Sequence, residues 1–159
     1  TAELTSELRK RTDRLLIMKL SPNVSDIVSI GMGAQDAGAD AVSAINTVVG
    51  MSIDSNSGKS NIYTTYGGLS GPAIKPIGLA AVHKLYQQLS IPIIGIGGIV
   101  SSNDVMEYML AGSSAVQIGT ANYRDPGTGV GIIDDLNQSI ENSKWDSVKD
   151  MIGKAKLLS

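Results

Sequence analysis

The sequence predicts an α/β domain in which about four βα units form a parallel sheet, amounting to the C-terminal half of a TIM (β/α)8 barrel. Three observations lead there. Short apolar runs at residues 15–20, 41–47, 91–98 and 115–119 have the length of strands buried on both faces. The stretches between them carry apolar residues three and four apart, the period of helices packed on such a sheet. The last two runs end in Gly97-Gly98 and Gly119-Thr120, where loops nearly free of side chains can bring backbone N–H groups to one anion. A (β/α) barrel places its phosphate site there, in the loops after the final strands and beside a helix N-terminus.

In chain order, residues 2–12 read as an amphipathic helix with Leu4 and Leu8 on one face, leading into a strand at 15–20 that Ser21-Pro22 ends. Asn23 or Ser25 is the expected cap of the next helix, which runs through Ile27, Val28, Ile30 and Met32 and stops at Gly38. Gly31 and Gly33 within it each cost about 1 kcal/mol relative to alanine, so close packing against a neighbour is the expected reason for them. After the strand at 41–47, about 48–70 is too long for a plain connection and predicts an inserted functional loop or hairpin. Pro72 and Pro76 suit the first turns of a third helix with Ile77, Val82, Leu85 and Leu89 inward. Ser101 or Ser102 caps a fourth, which stops at Gly112. From about Gly131 to Leu158 two further helices are expected, with Trp145 as a packing anchor.

Composition narrows the function classes. The 159 residues carry 42% hydrophobic side chains and a net charge of -2, enough to bury a core in one domain. Arg9-Lys10-Arg11 is a short solvated patch rather than a basic stripe, so neither nucleic acid nor an anionic membrane surface is expected as a partner. Cysteine is absent, which removes disulfides and cysteine-ligated metal, and no apolar run has the length of a membrane span. The expectation is a soluble, cytoplasmic protein with no metal site. His83, the single histidine, falls within a helix and is expected to be structural, and Asp54, Asp104, Asp134 and Asp135 form no recognisable acid–base pair.

Five blocks then carry a resemblance: Lys19-Leu-Ser-Pro-Asn23, Ile45-Asn-Thr-Val-Val-Gly-Met-Ser-Ile-Asp54, Gly67-Gly-Leu-Ser-Gly-Pro-Ala-Ile-Lys-Pro76, Ile94-Gly-Ile-Gly-Gly98 and Gln117-Ile-Gly-Thr-Ala121. In unbroken order they resemble the second half of a class 1 dihydroorotate dehydrogenase, and the second block resembles the class 1B catalytic subunit. The resemblance implies FMN as cofactor and dihydroorotate and orotate as ligands. Lys19 matches the lysine along the flavin, where a fixed cation stabilises the charge of the reduced ring. Ile45 and Gly71 match flavin contacts, Asn46 and Thr47 match residues that hydrogen-bond the orotate ring, and Gly97, Gly98, Gly119 and Thr120 match the grip on the ribityl phosphate. A side chain at Gly98 is expected to stand where the phosphate approaches.

The resemblance also implies what these residues do not contain. The family removes the substrate's C5 proton with a cysteine in the first half of the barrel and passes a hydride from C6 to FMN N5, so no catalytic base is expected in this chain. Tyr66 before Gly67-Gly68 and the glycine-rich 123–130 depart from the family's pattern in their loops. The implied partners are the missing N-terminal barrel half, a second copy in a homodimer, and an iron–sulfur flavoprotein subunit that passes electrons to NAD. Half a barrel is expected to bare two strand edges and an inner face of Ile, Val, Leu and Met, which closure by the other half would cover. Two alternatives stand beside this reading: a non-catalytic half barrel binding phosphate or FMN and a partner chain, and a sugar-phosphate barrel enzyme, which leaves Lys19 and the Ile45-Asn46-Thr47 block unexplained.

Overall fold

The computed structural model describes residues 1–156. Its four-stranded sheet has the order β1 (Ile17–Leu20), β2 (Ala41–Ala44), β5 (Ile93–Ile96) and β6 (Ala115–Gln117), every neighbouring pair parallel. Helices α1 (Ala2–Arg9), α2 (Ile27–Asp36), α3 (Lys75–Tyr86) and α4 (Ser102–Ala111) alternate with these strands. A parallel sheet of four strands linked through helices is the half barrel that the sequence predicts. Between β2 and α3 the chain makes an antiparallel hairpin of β3 (Val48–Met51) and β4 (Tyr66–Leu69). A 3-10 turn at Pro72–Ile74 then starts α3 with proline in its first turns.

Met18, Leu20, Val42, Ala44 and Ile93 point to one side of the sheet and pack with Val82, Leu85, Val105 and Tyr108 in one buried core. Gly31 lies in a helix crossing so close that a methyl group there would stand 2.7 Å from Leu85 Cδ2. Tyr108 occupies a slot between Gly78 of α3 and Gly95 of β5, is fully buried, and donates its hydroxyl to the carbonyl of Gly97 at 2.8 Å. A methyl at Gly78 collides with the Tyr108 hydroxyl and stands 3.2 Å from the Ile96 carbonyl oxygen. Gly78→Ala is therefore expected to lower stability by about 1–3 kcal/mol through overpacking. Urea unfolding followed by the Trp145 fluorescence reads this, and an unchanged midpoint would show that the Tyr108 slot yields.

Several local expectations are corrected. Helix α2 is capped by Asp26, whose Oδ1 accepts from the amides of Val28 and Ser29, and not by Asn23 or Ser25. Asn23 is committed elsewhere: its side chain donates to the Thr47 carbonyl and accepts from the Val49 amide, both at 2.9 Å, fastening the base of the hairpin. Ile77 is 43% exposed, because α3 begins at Lys75 and turns Gly78, Ala81, Val82 and Leu85 inward instead. Helix α1 ends at Arg9 rather than residue 12, and the first two strands are shorter than predicted, at Ile17–Leu20 and Ala41–Ala44.

The tail also differs. A short helix α5 (Thr120–Arg124) follows β6 directly, α6 spans Thr128–Glu141, and a 3-10 turn at Val148–Met151 replaces the second expected helix. Helix α6 runs through Gly129 and Gly131, where packing of buried Ile132 outweighs their low helix propensity. Trp145 is half-buried against the core beneath the Lys144 ammonium, 4.8 Å from its ring centroid. Residues 157 and 158 of the predicted tail lie outside the described residues.

The other face of the sheet departs from expectation in chemistry. Strand register places Ile17, Lys19, Ala41, Ser43, Ile94, Ile96, Ala115 and Gln117 on it, so the expected isoleucines are there, joined by small and polar residues in place of Val, Leu and Met. Alternation puts Met18, Leu20, Val42 and Val116 on the helix-covered face, whereas β5 turns Ile94 and Ile96 to this one. Strands β1 and β6 form the two edges of the sheet.

Candidate functional site

The C-terminal ends of the strands surround a cavity of about 510 Å³. Lys19 reaches it from β1, where it sits on the uncovered face opposite Ser43. Ile45, Asn46 and Thr47 follow the end of β2, where the Ala44–Ile45 peptide is cis. Ile45 is buried at 1% exposure, and Asn46 Oδ1 accepts the Thr47 amide at 2.8 Å, which leaves the Asn46 side-chain NH2 available to a ligand. Gly68 of the hairpin gives Thr47 its room: a methyl group there would stand 2.7 Å from Thr47 Cβ.

Gly71, Gly97, Gly98, Gly119 and Thr120 complete the predicted set, and all nine predicted residues line this one cavity. They come from five separate segments of the chain. A Cβ built on Gly71 or Gly119 meets no atom within 4 Å, so at both places the bare backbone faces open space. Among the described residues no turn or loop bond uses the amides of Gly98, Gly119 or Thr120, which leaves N–H donors for an acceptor in the cavity.

Gly98 is required for another reason than the one expected. Its φ is +71°, a left-handed conformation suited to glycine, and a Cβ there would stand 2.8 Å from the Gly71 carbonyl oxygen and 2.9 Å from the Lys75 amide nitrogen. The missing side chain lets the 97–98 loop dock on the start of α3. It does not simply clear a path for a ligand.

That loop is also held by charge. Asp104 caps α4 in a capping box with Ser101, and its Oδ2 accepts from the amides of Val100 and Ser101 at 2.9 and 3.0 Å. Lys75 Nζ contacts Asp104 Oδ1 at 2.6 Å and Glu107 Oε2 at 2.9 Å, joining α3 to α4. Burial pushes the Asp104 pKa up, but the Lys75 ammonium, the Val100 amide and the Ser101 hydroxyl outweigh it and hold the carboxyl below its ordinary range. Hydrogen bonds from Lys75 to Asp104 and Glu107 raise the lysine's own pKa. Burial, and then the charges of Asp104 and Glu107, push the Tyr108 phenol up as well.

Sequence reasoning missed part of the lining. Ser70, Gln117, Arg124, Asp125 and Thr128 also face the cavity, and Thr120 Oγ1 donates to Ser70 Oγ at 2.8 Å, linking the last strand's loop to the segment before Gly71. Gln117 was readable from strand alternation. Arg124 was not, because α5 was not foreseen; once Thr120 begins a helix, position 124 follows one turn later on the same face. Asp54 instead holds the hairpin turn, accepting from Ser57 Oγ at 2.6 Å and the Asn56 amide at 3.0 Å. Among the described residues no group of three His, Cys, Asp or Glu side chains could hold a metal, and no helix is long and apolar enough to cross a membrane.

A parallel βα sheet with its cavity at the strands' C-terminal ends defines a half of a (β/α) barrel, with the cavity where such barrels bind their ligands. A family model described as dihydroorotate dehydrogenase matches residues 1–140, and the chain belongs to that family. It is 46% identical over 151 residues to the dihydroorotate dehydrogenase B (NAD(+)) catalytic subunit of Parabacteroides distasonis, covering 95% of this chain and 50% of that protein. The protein of the same name from Shouchella clausii is 46% identical over 152 residues, covering 96% and 50%. That from Geotalea daltonii is 45% identical over 156 residues, covering 98% and 51%. The chain spans about half the length of the curated relatives it matches.

Proposed function

We propose that this chain is the FMN-phosphate and partial substrate-binding half of an enzyme that oxidises dihydroorotate to orotate in de novo pyrimidine (UMP) biosynthesis. The observation that carries the reading is the convergence of Lys19, Ile45, Asn46, Thr47, Gly71, Gly97, Gly98, Gly119 and Thr120 on one cavity. Its volume of about 510 Å³ falls within the roughly 300–1,000 Å³ of cofactor and ligand sites. The residues present suit FMN, since open backbone at Gly71 and Gly119 gives space and donors for a phosphate, and Lys19 gives a cation. Bound there, FMN would supply the two-electron acceptor for the substrate's oxidation.

The chain's own part is binding and electrostatics. The Lys19 ammonium would stabilise negative charge developing on a reduced ring held in the cavity. Asn46 presents an amide and Thr47 a hydroxyl to the alternating donors and acceptors of a planar pyrimidine. The apolar Ile45 and Ile96 walls keep water from that end of the cavity. The relatives are named as catalytic subunits, which supports an electron-transfer partner, and an iron–sulfur flavoprotein passing electrons to NAD is the proposed one. A homodimer in the cytoplasm, closed by the N-terminal barrel half, completes the reading.

The test is to assemble this chain with the N-terminal half of the Parabacteroides relative, desalt, and record the flavin spectrum before and after adding orotate. One FMN per assembled barrel, with a spectrum shifted by orotate, is expected. A preparation that holds no flavin, or a flavin indifferent to orotate, would refute the assignment.

A further inference from the structure

We propose that Arg124 is a specificity-determining residue of this cavity, supplying the positive charge that makes it select a dianionic phosphate monoester. The inference rests on the function proposed above and adds a residue that the resemblance did not supply. A phosphate monoester carries a charge of about −1.5 to −2 at neutral pH, so a cation beside the loop amides adds to their grip.

Three cations come near this cavity, and two are otherwise placed. Lys75 packs beside Gly98, but its ammonium already contacts both Asp104 and Glu107, so that cluster carries a net negative charge. Lys19 lies on β1, at the far edge of a sheet whose order puts β5 and β6 at the opposite side. It serves the other end of a long ligand. Arg124 lines the cavity together with Gly97, Gly98, Gly119 and Thr120, and among the described residues it makes no ion pair and no side-chain hydrogen bond.

Local structure places its exposed side chain at the cavity rim. Thr120 and Arg124 are four residues apart on α5, which places them on one face, and Thr120 is itself fixed to Ser70 across the cavity rim. The neighbouring carboxylate, Asp125, also lines the cavity; it accepts the Gly127 amide at 2.8 Å in the turn that leads to α6 and, among the described residues, makes no ion pair with Arg124. A guanidinium offers paired donors that match two phosphate oxygens, which a neutral ribityl chain ending in a hydroxyl cannot use.

FMN and riboflavin separate this role from a structural one, because they share the ring and ribityl chain and differ only in the phosphate. Binding of each is followed by quenching of flavin fluorescence, on the assembled barrel and on its Arg124→Gln and Arg124→Lys variants. Arg124→Gln is expected to weaken FMN roughly tenfold while riboflavin changes less than about twofold, with Arg124→Lys in between because it keeps charge but loses the fork. The salt dependence of FMN binding is expected to flatten in Arg124→Gln. Equal weakening of both flavins, or unchanged FMN affinity, overturns the role of Arg124 while leaving the flavin site standing. Failure of the unsubstituted barrel to bind FMN overturns the site itself and this inference with it.

Discussion

Given dihydroorotate and a redox dye, this chain by itself is expected to show no substrate-dependent reduction. Loss of a general base alone lowers a rate by typically 10²–10⁴-fold, even where every other group remains. The sequence has no cysteine, the residue that serves as base in the class 1 enzymes it resembles. Nothing in the cavity can replace it. Among the described residues its only carboxylate is Asp125, which accepts the Gly127 amide, and Asp104 stands outside the lining, paired with Lys75. The Tyr108 phenol is buried and donates to Gly97, with its pKa pushed up rather than down. Adding the N-terminal half of the Parabacteroides relative, which brings the base and the remaining flavin contacts, is expected to restore turnover. Dye reduction by the isolated chain at the rate of a whole enzyme would contradict this placement of the base.

The half barrel was legible because its four strands announce themselves twice: by short apolar runs, and by helices with caps such as Ser101 and stops such as Gly112. Alternation was less well read. Each strand is apolar almost throughout, so sequence could not say that Met18 and Leu20 turn toward the helices while Ile17 and Lys19 face the other way; the parallel register decides it. Side-chain commitments were also out of reach. Asn23 has the chemistry of a cap and spends it on Thr47 and Val49, twenty-four and twenty-six residues away, leaving Asp26 to cap α2.

The site was legible to a different depth. Motifs singled out nine residues that share one cavity, but the glycines in it do unlike jobs. Gly71 and Gly119 open onto empty space, whereas Gly98 is a docking point for α3, a distinction that depends on contacts between segments more than twenty residues apart. Arg124 and Ser70 escaped for the same reason. Ser70 stands beside Gly71 and Arg124 in the glycine-rich 123–130, and their place at the cavity follows from α5 lying against the segment that precedes Gly71.

That difference between glycines gives the last prediction. At Gly119 an added Cβ meets no protein atom within 4 Å. In the assembled barrel Gly119→Val is therefore expected to lower the unfolding midpoint less than Gly98→Val does. The same variant loses its yellow colour on desalting, because the isopropyl group fills the space in which the phosphate meets the backbone. Gly98→Val is expected to lose both stability and flavin. Its left-handed φ and the contacts at 2.8 Å with the Gly71 oxygen and Lys75 Cβ force the 97–98 loop off the start of α3, at a cost of several kcal/mol. Absorbance at the flavin band after desalting, beside thermal unfolding of each variant, separates the two effects. Full flavin occupancy in a stably folded Gly119→Val protein would move the phosphate away from these loops.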